Sequence, residues 1–182
     1  MQKPKLLIIL LVLVGFSAAG LPGARATTGK DKTKSENPQT EADPKIDWQA
    51  YDIGLKKALN EDKHVFIDFT AKWCGYCRKM EREVFTDPRV IELLNNDFIA
   101  VRVDGESRKE LDIDGYKITE RNLAVREFGV RGYPTFWFLK SDGSKIGPIG
   151  GYRPAEFMLE ALNFVKEKRY DSTATEENPE ED

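Results

Sequence analysis

The sequence predicts an α/β fold in which a mixed central β-sheet is covered by helices on both faces. Three observations predict this class. Short apolar, β-prone runs alternate with amphipathic segments over residues 45–170. The earlier strands are separated by helices, whereas the last two are joined by a tight turn and must be antiparallel. The segment is also long enough to bury a single core.

The elements are predicted in the order α-β-α-α-β-α-β-β-α. A first helix is predicted over 47–62, because Trp48, Tyr51, Leu55 and Leu59 recur at helical spacing. Strands follow at 65–69, 98–103, 135–139 and 145–149, and helices at 75–83, from 88, at 119–128 and at 154–168.

Local signals place several of these boundaries. Asp87 is the predicted N-cap of the third helix, with Pro88 at its first position, and Thr119 is the predicted cap of the fourth. Residues 141–144, Ser-Asp-Gly-Ser, form the hairpin turn. Pro154 is predicted at the first position of the last helix.

The first 26 residues have the three parts of a secretory signal peptide. Lys3 and Lys5 precede an apolar run of 14 residues, which is shorter than the roughly 20 that span a membrane. Residues 24–26, Ala-Arg-Ala, match a cleavage site. We therefore expect export, cleavage after Ala26 and no stable membrane insertion afterwards. The alternative is an uncleaved N-terminal anchor.

Polar segments flank the domain. Residues 27–44 and 171–182 contain few large apolar side chains, so we expect a disordered linker and a disordered acidic tail; a tail that binds a partner or an ion is the alternative. Residues 1–26 hold three basic and no acidic residues, so their removal leaves 25 basic against 31 acidic residues, a net charge of −6. This charge argues against nucleic acid and anionic membranes as partners.

Both cysteines of the chain lie where the first strand passes into the second helix. Cys74 is placed at the helix N-terminus, whose partial positive charge stabilises a thiolate, and Cys77 follows one turn later, on the same face but deeper. A disulfide between them closes a loop too small to add much stability, which favours a reversible redox couple over a structural bridge. Cys74 is then the nucleophile that forms a mixed disulfide, and Cys77 resolves it.

Asp68 is the candidate proton acceptor for Cys77. It stands within an apolar strand, six residues before Cys74. Burial there raises the pKa of a carboxyl group toward neutrality, which suits a general base. The alternative is an exposed acid at the end of the strand.

Metal binding is disfavoured by the ligand count. A structural zinc site needs four ligands, and the chain has two cysteines and one histidine, His64, which we expect to be an ordinary strand-end residue. Residues 110–115 are similar to half of a calcium loop, but Arg121 stands where the bidentate glutamate is required. We therefore expect no metal and no cofactor besides the dithiol.

Two stretches resemble the thioredoxin superfamily. Residues 73–77, Trp-Cys-Gly-Tyr-Cys, are similar to its W-C-x-x-C motif, and residues 129–135, Gly-Val-Arg-Gly-Tyr-Pro-Thr, to its G-[IV]-x-G-x-P-T segment. Asp68 stands at the position of the family's buried acid. Residues 81–90 further resemble the exported branch that includes the C-terminal domain of the disulfide reductase DsbD.

The resemblance implies a thioredoxin fold, a redox-active Cys74–Cys77 disulfide and a cis proline, Pro134, that faces it. It also implies a groove for protein disulfide substrates, in which Trp73 shields the site, formed by Trp73, Gly75, Tyr76, Tyr133 and Pro134. It further implies a monomer located in the periplasm and kept reduced by a membrane electron donor of the DsbD type.

The sequence departs from the family pattern in two places. Ala100 occupies the position where thioredoxins often carry a lysine near the buried acid, which affects the environment of Asp68 and Cys77. Residues 105–118 exceed the usual connection between strand and helix. We expect this segment to be a solvated loop, with a substrate-specific flap as the alternative.

The residues between the cysteines favour reduction as the direction of the reaction. Neither Gly75 nor Tyr76 is cationic, unlike the histidine found between the cysteines of strong oxidants such as DsbA, so the thiolate of Cys74 depends mainly on the helix end. A thiol:disulfide reductase is therefore expected. Oxidase or isomerase activity at the same site, and a non-catalytic thioredoxin-like interaction module, are the alternatives.

Overall fold

A four-stranded mixed β-sheet forms the centre of the domain in the computed structural model, which describes residues 44–173. The strands are β1 (His64–Thr70), β2 (Phe98–Asp104), β3 (Glu110–Ile113), β4 (Tyr116–Thr119), β5 (Thr135–Leu139) and β6 (Lys145–Gly150). The order in the central sheet is β2-β1-β5-β6. Strand β1 is parallel to β2 and antiparallel to β5, and β6 is antiparallel to β5. This arrangement confirms the predicted fold class.

Helices cover both faces of this sheet. They are α1 (Tyr51–Glu61), α2 (Gly75–Glu83), α3 (Pro88–Asp97), α4 (Glu120–Asn122), which continues as a π-helical segment (Leu123–Glu127), α5 (Ala155–Lys166) and α6 (Tyr170–Thr173). On one face α2, α3 and α5 pack against Phe66 and Phe136. On the other, α1 and the π-helical segment pack against Ile67, Phe69 and Val101.

The alternation of side chains along β1 decides where its acidic residue points. Successive residues of a strand face opposite sides of the sheet. Phe66 belongs to the core beneath α2, whereas Ile67 and Phe69 belong to the opposite core. Asp68, two residues after Phe66, therefore points toward the layer that contains α2.

The first helix begins later than its hydrophobic spacing predicts. Residues before Tyr51 are extended, because Gln49 pairs with β2: its N–H donates to the carbonyl of Ala100 (2.8 Å), and its carbonyl accepts from the N–H of Arg102 (3.1 Å). Trp48 packs edge-on against Phe85, on the other side of the sheet from α1. The prediction of a helix from residue 47 is therefore wrong, because pairing with the sheet overrides the local periodicity.

Residues 105–118, expected to be a solvated loop, contain an ordered β-hairpin. Strands β3 and β4 are antiparallel, and Leu111 and Ile118 are almost fully buried in the core beside α1. Asp114 and Gly115 form the turn with positive φ angles of 52° and 90°, as Asp-Gly does in tight hairpin turns. The loop expectation is wrong. The Asp-Gly pair between alternating apolar residues was the signal for a hairpin.

The later boundaries agree with the predictions at most positions. The carboxylate of Asp87 accepts from the N–H of Arg89 (2.9 Å), and the hydroxyl of Thr119 accepts from the N–H of Asn122 (3.2 Å), so both caps are confirmed. Pro154 is the N-cap of α5 instead of its first residue.

The described chain continues beyond the predicted domain boundary at residue 170. Helix α6 holds Tyr170 against the first strand, where the Tyr170 hydroxyl lies 2.7 Å from Nε2 of His64. His64 therefore bonds to the C-terminal helix. The predicted signal peptide, nearly all of the predicted linker and residues 174–182 of the predicted tail lie outside the described residues. Within residues 44–173, no helix combines the length and apolar character needed to span a membrane.

Gly54 sets the distance between α1 and β2, and its replacement tests this packing. A Cβ at Gly54 would collide with the side chain of Val101. We expect Gly54→Ala to lower the free energy of unfolding by about 1–3 kcal/mol, the usual effect of overpacking a core. Denaturant unfolding measures it. The matched control is Gly147→Ala, since a Cβ at Gly147 meets nothing within 4 Å; equal losses in the two variants would contradict the close approach.

Candidate active site

The two cysteines lie at the N-terminus of α2 and are joined by a disulfide. Cys74 is the N-cap residue, and the N–H of Cys77 donates a hydrogen bond to Sγ of Cys74 at 3.0 Å. The partial positive charge of the helix end therefore acts directly on this sulfur. After reduction, the same N–H can stabilise a thiolate on Cys74.

Both sulfur-bearing side chains are nearly buried. Cys74 is 3% and Cys77 6% exposed, so the disulfide form does not show the greater depth that the helical spacing predicted for Cys77. The two neighbours of Cys74, Trp73 and Gly75, are exposed. Trp73 and Tyr76 expose 68% and 64% of their surfaces. A buried disulfide is thus bordered by two large apolar side chains that are open to solvent.

A second chain segment reaches the disulfide from the start of β5. The Tyr133–Pro134 peptide bond is cis, as the resemblance implies, and Pro134 is buried. Tyr133 packs against the small cluster formed by Ala71, Cys74 and Cys77. Its ring also meets the ring of Trp73 edge-on, with centroids 5.9 Å apart. The structure therefore brings Tyr133, a predicted groove residue, next to the dithiol, with Pro134 following it through the cis peptide bond.

The connection that follows β2 supports Tyr133 from behind. The N–H of Gly105 donates to the carbonyl of Thr70 (2.9 Å), which ties this connection to the end of β1. A side chain at position 105 would collide with the Tyr133 ring. Burial, followed by the negative charges of Glu106 and Asp104, raises the pKa of Tyr133. The tyrosine is therefore held in its neutral form beside the disulfide.

Asp68 is buried under α2 and is paired with a cation. Only 2% of its surface is exposed, and its Oδ2 accepts a hydrogen bond from Nε of Arg102 at 3.0 Å. Burial raises the pKa of Asp68 to about 6; Arg102 opposes this shift and the charge of Glu81 adds to it. The direction agrees with the expectation for a carboxyl group in an apolar strand.

Arg102 is the functional residue that sequence reasoning missed. Its guanidinium contacts both Asp68 and Glu81 of α2, and it lies 3.8 Å from the centre of the Trp48 ring. Ala100 stands where the resemblance expects a lysine, but the cation comes from two residues later, on the same side of the strand. The signal was present: Asp68 and Arg102 are each the fifth residue of an apolar strand, and they pair in the sheet.

Asp68 has Arg102 as its hydrogen-bond partner in this form of the protein. A disulfide carries no S–H, so neither sulfur can donate to the carboxylate. The predicted transfer of a proton from Cys77 to Asp68 belongs to the reduced protein and remains a prediction. In the described part of the chain, no group of three or more His, Cys, Asp or Glu side chains could hold a metal ion.

The raised pKa of Asp68 gives the stability of the protein a specific pH dependence. Between pH 4 and 6 the folded state binds more protons at Asp68 than the unfolded state, so ionisation in this window removes stability as the pH rises. Asp68→Asn cannot ionise. We expect the free energy of unfolding of the variant, relative to that of the wild type, to increase by about 3 kcal/mol between pH 4 and 7 and to change little above pH 7.

This gain is measured by denaturant unfolding of both proteins, with the disulfide intact, at a series of pH values. The slope with pH is the test, because the loss of the contact with Arg102 changes the offset at every pH. A difference between variant and wild type that does not vary from pH 4 to 7 would show that Asp68 titrates alike in both states.

The profile of the thioredoxin-like domain family matches residues 51–166. The chain is 28% identical over 172 residues to the thiol:disulfide interchange protein DsbD of Neisseria meningitidis, and the aligned region covers 87% of this chain and 27% of DsbD. It is 30% identical over 112 residues to the protein disulfide-isomerase tigA of Aspergillus niger, with 62% of this chain and 28% of tigA covered.

The chain thus spans little more than a quarter of the length of each of these relatives. Among solved structures, a thioredoxin from Thermus thermophilus superposes with a TM-score of 0.56 at 29% identity, over 66% of this chain and 87% of that one. The family match at residues 51–166 includes the disulfide, Asp68 and the cis-proline segment. The chain belongs to the thioredoxin-like family.

Proposed function

We propose that this protein is an extracytoplasmic thiol:disulfide oxidoreductase that reduces protein disulfides through Cys74 and Cys77. The observation that carries the proposal is the disulfide at the N-terminus of α2, facing a cis-proline segment in which Tyr133 contacts both the disulfide cluster and Trp73. This arrangement supplies a nucleophile, a resolving thiol and an apolar surface on which a polypeptide can lie.

The reaction begins from the reduced dithiol. The thiolate of Cys74 attacks one sulfur of a substrate disulfide, a new S–S bond forms, and the other substrate sulfur leaves and takes up a proton. Cys77 then loses its proton and attacks Sγ of Cys74, which releases the second substrate thiol. Two electrons and two protons pass to the substrate, and the Cys74–Cys77 disulfide remains on the protein.

Asp68 is the proposed acceptor of the Cys77 proton. With a pKa of about 6, it is mostly ionised at neutral pH yet basic enough to hold a proton during the exchange. Arg102 orients the carboxylate through the bond from its Nε and links it to Glu81 at the surface of α2. We infer that the proton can pass from this buried site toward solvent along the same side of α2.

The charges around the dithiol favour a reducing couple. The carboxylates of Asp68 and Glu81 lie on the α2 side of the sheet, and neither residue between the cysteines is cationic. Of the nearby cations, the Lys79 ammonium lies 4.0 Å from the centre of the Tyr152 ring. The Arg78 guanidinium donates to the carbonyl of Lys72 (3.0 Å) and lies close to Gly75, so it adds surface support to the helix end. A thiolate with little stabilisation gives up its electrons more readily.

The proposed setting is the periplasm. The apolar leader with its Ala24-Arg25-Ala26 site supports export, and a reductant outside the cytoplasm needs a supply of electrons. We propose a membrane donor of the DsbD type for this role. The 28% identity to DsbD over 87% of this chain supports this setting. Apart from contacts with donor and substrate, we propose that the protein acts as a monomer.

The reduction potential tests the direction of the reaction. We expect a value closer to that of thioredoxin, about −270 mV, than to that of DsbA, about −120 mV, because the helix end stabilises the Cys74 thiolate without a cationic residue between the cysteines. Equilibration with glutathione buffers, followed by thiol alkylation, measures it. Tyr76→His should raise the potential by about 30 mV or more by adding a cation between the cysteines, whereas Tyr76→Phe should leave it unchanged. A wild-type value near that of DsbA would identify an oxidase.

Removal of the resolving thiol tests the order of attack. We expect Cys77→Ser to accumulate covalent complexes with substrate proteins in the periplasm, because the mixed disulfide at Cys74 can no longer be released. Non-reducing electrophoresis after acid quenching detects these complexes, and a reducing agent should separate them into their two proteins. Cys74→Ser is the matched control and should trap far less. Absence of trapped partners from Cys77→Ser would point to a non-catalytic interaction module.

A further inference from the structure

An open cavity of about 470 Å³ lies beside the β3–β4 hairpin, and its lining is strongly basic. It is bordered by Arg108, Arg121 and Arg126, together with the half-buried Thr119 and Asn122 and the half-exposed Val125. These residues come from the connection between β2 and β3, from the end of β4 and from the helical segment that follows. We call this the arginine pocket.

The three guanidinium groups are exposed and have no ion-pair or hydrogen-bond partner among residues 44–173. Of the acidic side chains in this part of the chain, Glu120 lies 3.9 Å from Lys109, and the charge of Glu106 acts on Tyr133, whose pKa it raises. Other exposed cations of the domain, such as Lys56, Lys117 and Lys166, each face a carboxylate. Three unpaired charges around one cavity therefore leave a local positive field in a chain of net charge −3.

The arginine pocket is connected to the dithiol through the support of the cis-proline segment. The N–H of Arg121 donates to the carbonyl of Ser107 at 3.0 Å, in the same connection that holds Gly105 against Tyr133. The charge of Arg121 reaches the Tyr133 hydroxyl, where it lowers the pKa of that group against the larger effects that raise it. Tyr133 in turn contacts the disulfide cluster. The arginine pocket thus begins where the proposed substrate groove ends.

We propose that the arginine pocket binds an acidic segment of the polypeptide whose disulfide is reduced at Cys74, and so selects acidic substrates. The proposal rests on the function proposed above. Guanidinium groups pair with carboxylates in a forked geometry, and Thr119 and Asn122 add neutral polar groups for the remaining oxygens. At physiological ionic strength the charges of the rest of the chain are screened beyond about 8 Å, so the pocket decides the local attraction.

This pocket also gives the hairpin insertion a role. Strands β3 and β4 pack on the core through Leu111 and Ile118, and Arg108 and Arg121, which stand just before β3 and just after β4, both line the rim of the cavity. A substrate that lies along Trp73 and Tyr133 would place residues flanking its cysteine over this rim. Charge complementarity there increases the rate of productive encounter.

Two disulfide-containing peptides that differ only in the residues beside one cysteine test the proposal. One carries several glutamates beside the cysteine and the other carries glutamines at the same positions. We expect the full-length protein to reduce the glutamate peptide with the higher kcat/KM, and added salt to remove the preference. The triple variant Arg108→Gln/Arg121→Gln/Arg126→Gln should lower kcat/KM for the glutamate peptide about tenfold and change the glutamine peptide less than twofold.

Single variants separate the pocket from a general loss of charge. Arg121→Gln alone should cause a measurable part of the loss of kcat/KM that the triple variant shows for the glutamate peptide. Arg82→Gln removes an exposed cation from the last turn of α2 and should leave kcat/KM for both peptides unchanged. Equal kcat/KM values of the wild type for the two peptides, or equal losses for both in the triple variant, would overturn the proposed selection of acidic substrates but not the proposed function. A wild type that reduces neither peptide would overturn the proposed function, and with it the selection proposed here.

Discussion

The parallel pairing of β1 with β2 is the constraint on which the site depends. This register places Asp68 opposite Arg102 and Thr70 opposite Asp104. The first pair puts a buried carboxylate and its cation beneath α2. The second aligns the ends of the two strands, so that Gly105 can bond to Thr70 and support Tyr133. A shift of one residue would turn Asp68 into the opposite core and separate both contacts.

The electrostatics of the site combine two opposing influences on the cysteines. The N-terminus of α2 and the N–H of Cys77 favour negative charge on the sulfur of Cys74. The carboxylates of Asp68 and Glu81 disfavour negative charge on the same side of the sheet, and Arg102, placed between them, offsets part of their effect. The balance sets the thiolate stability and hence the direction of electron flow. Because burial dominates the pKa of Asp68, this balance is sensitive to water entry under α2.

The surface around the dithiol has an apolar part and a charged part. Trp73 and Tyr76 are exposed beside a buried disulfide, and such aromatic side chains supply contact area for many polypeptides with little sequence selectivity. The insertion that contains β3 and β4 adds unpaired arginines at the end of that surface. In a family whose shared site acts on many disulfides, an inserted charged pocket is a physical means to discriminate among them.

Much of this protein could be read from local sequence. The α/β class follows from the alternation of apolar runs, and the reactive pair from two cysteines at a strand–helix junction. The caps at Asp87 and Thr119 follow from side chains that satisfy free backbone N–H groups. The raised pKa of Asp68 follows from an acid in an apolar strand. The class, the reactive pair and the caps depend on patterns and contacts close in the chain, whereas the pKa of Asp68 could be anticipated only because an apolar strand is normally buried.

Other features of the fold and the site were decided only by the tertiary structure, because these features depend on contacts between residues that are distant in the chain. Strand register made Arg102, and not a residue at position 100, the partner of Asp68. Pairing of Gln49 with β2 delayed α1 to Tyr51, and burial of Leu111 and Ile118 turned an expected loop into a hairpin. The arginine pocket joins residues from three segments whose separate sequences show only scattered surface charges. Local propensity cannot specify such pairings, since their free energy appears only when the whole sheet and both cores have formed.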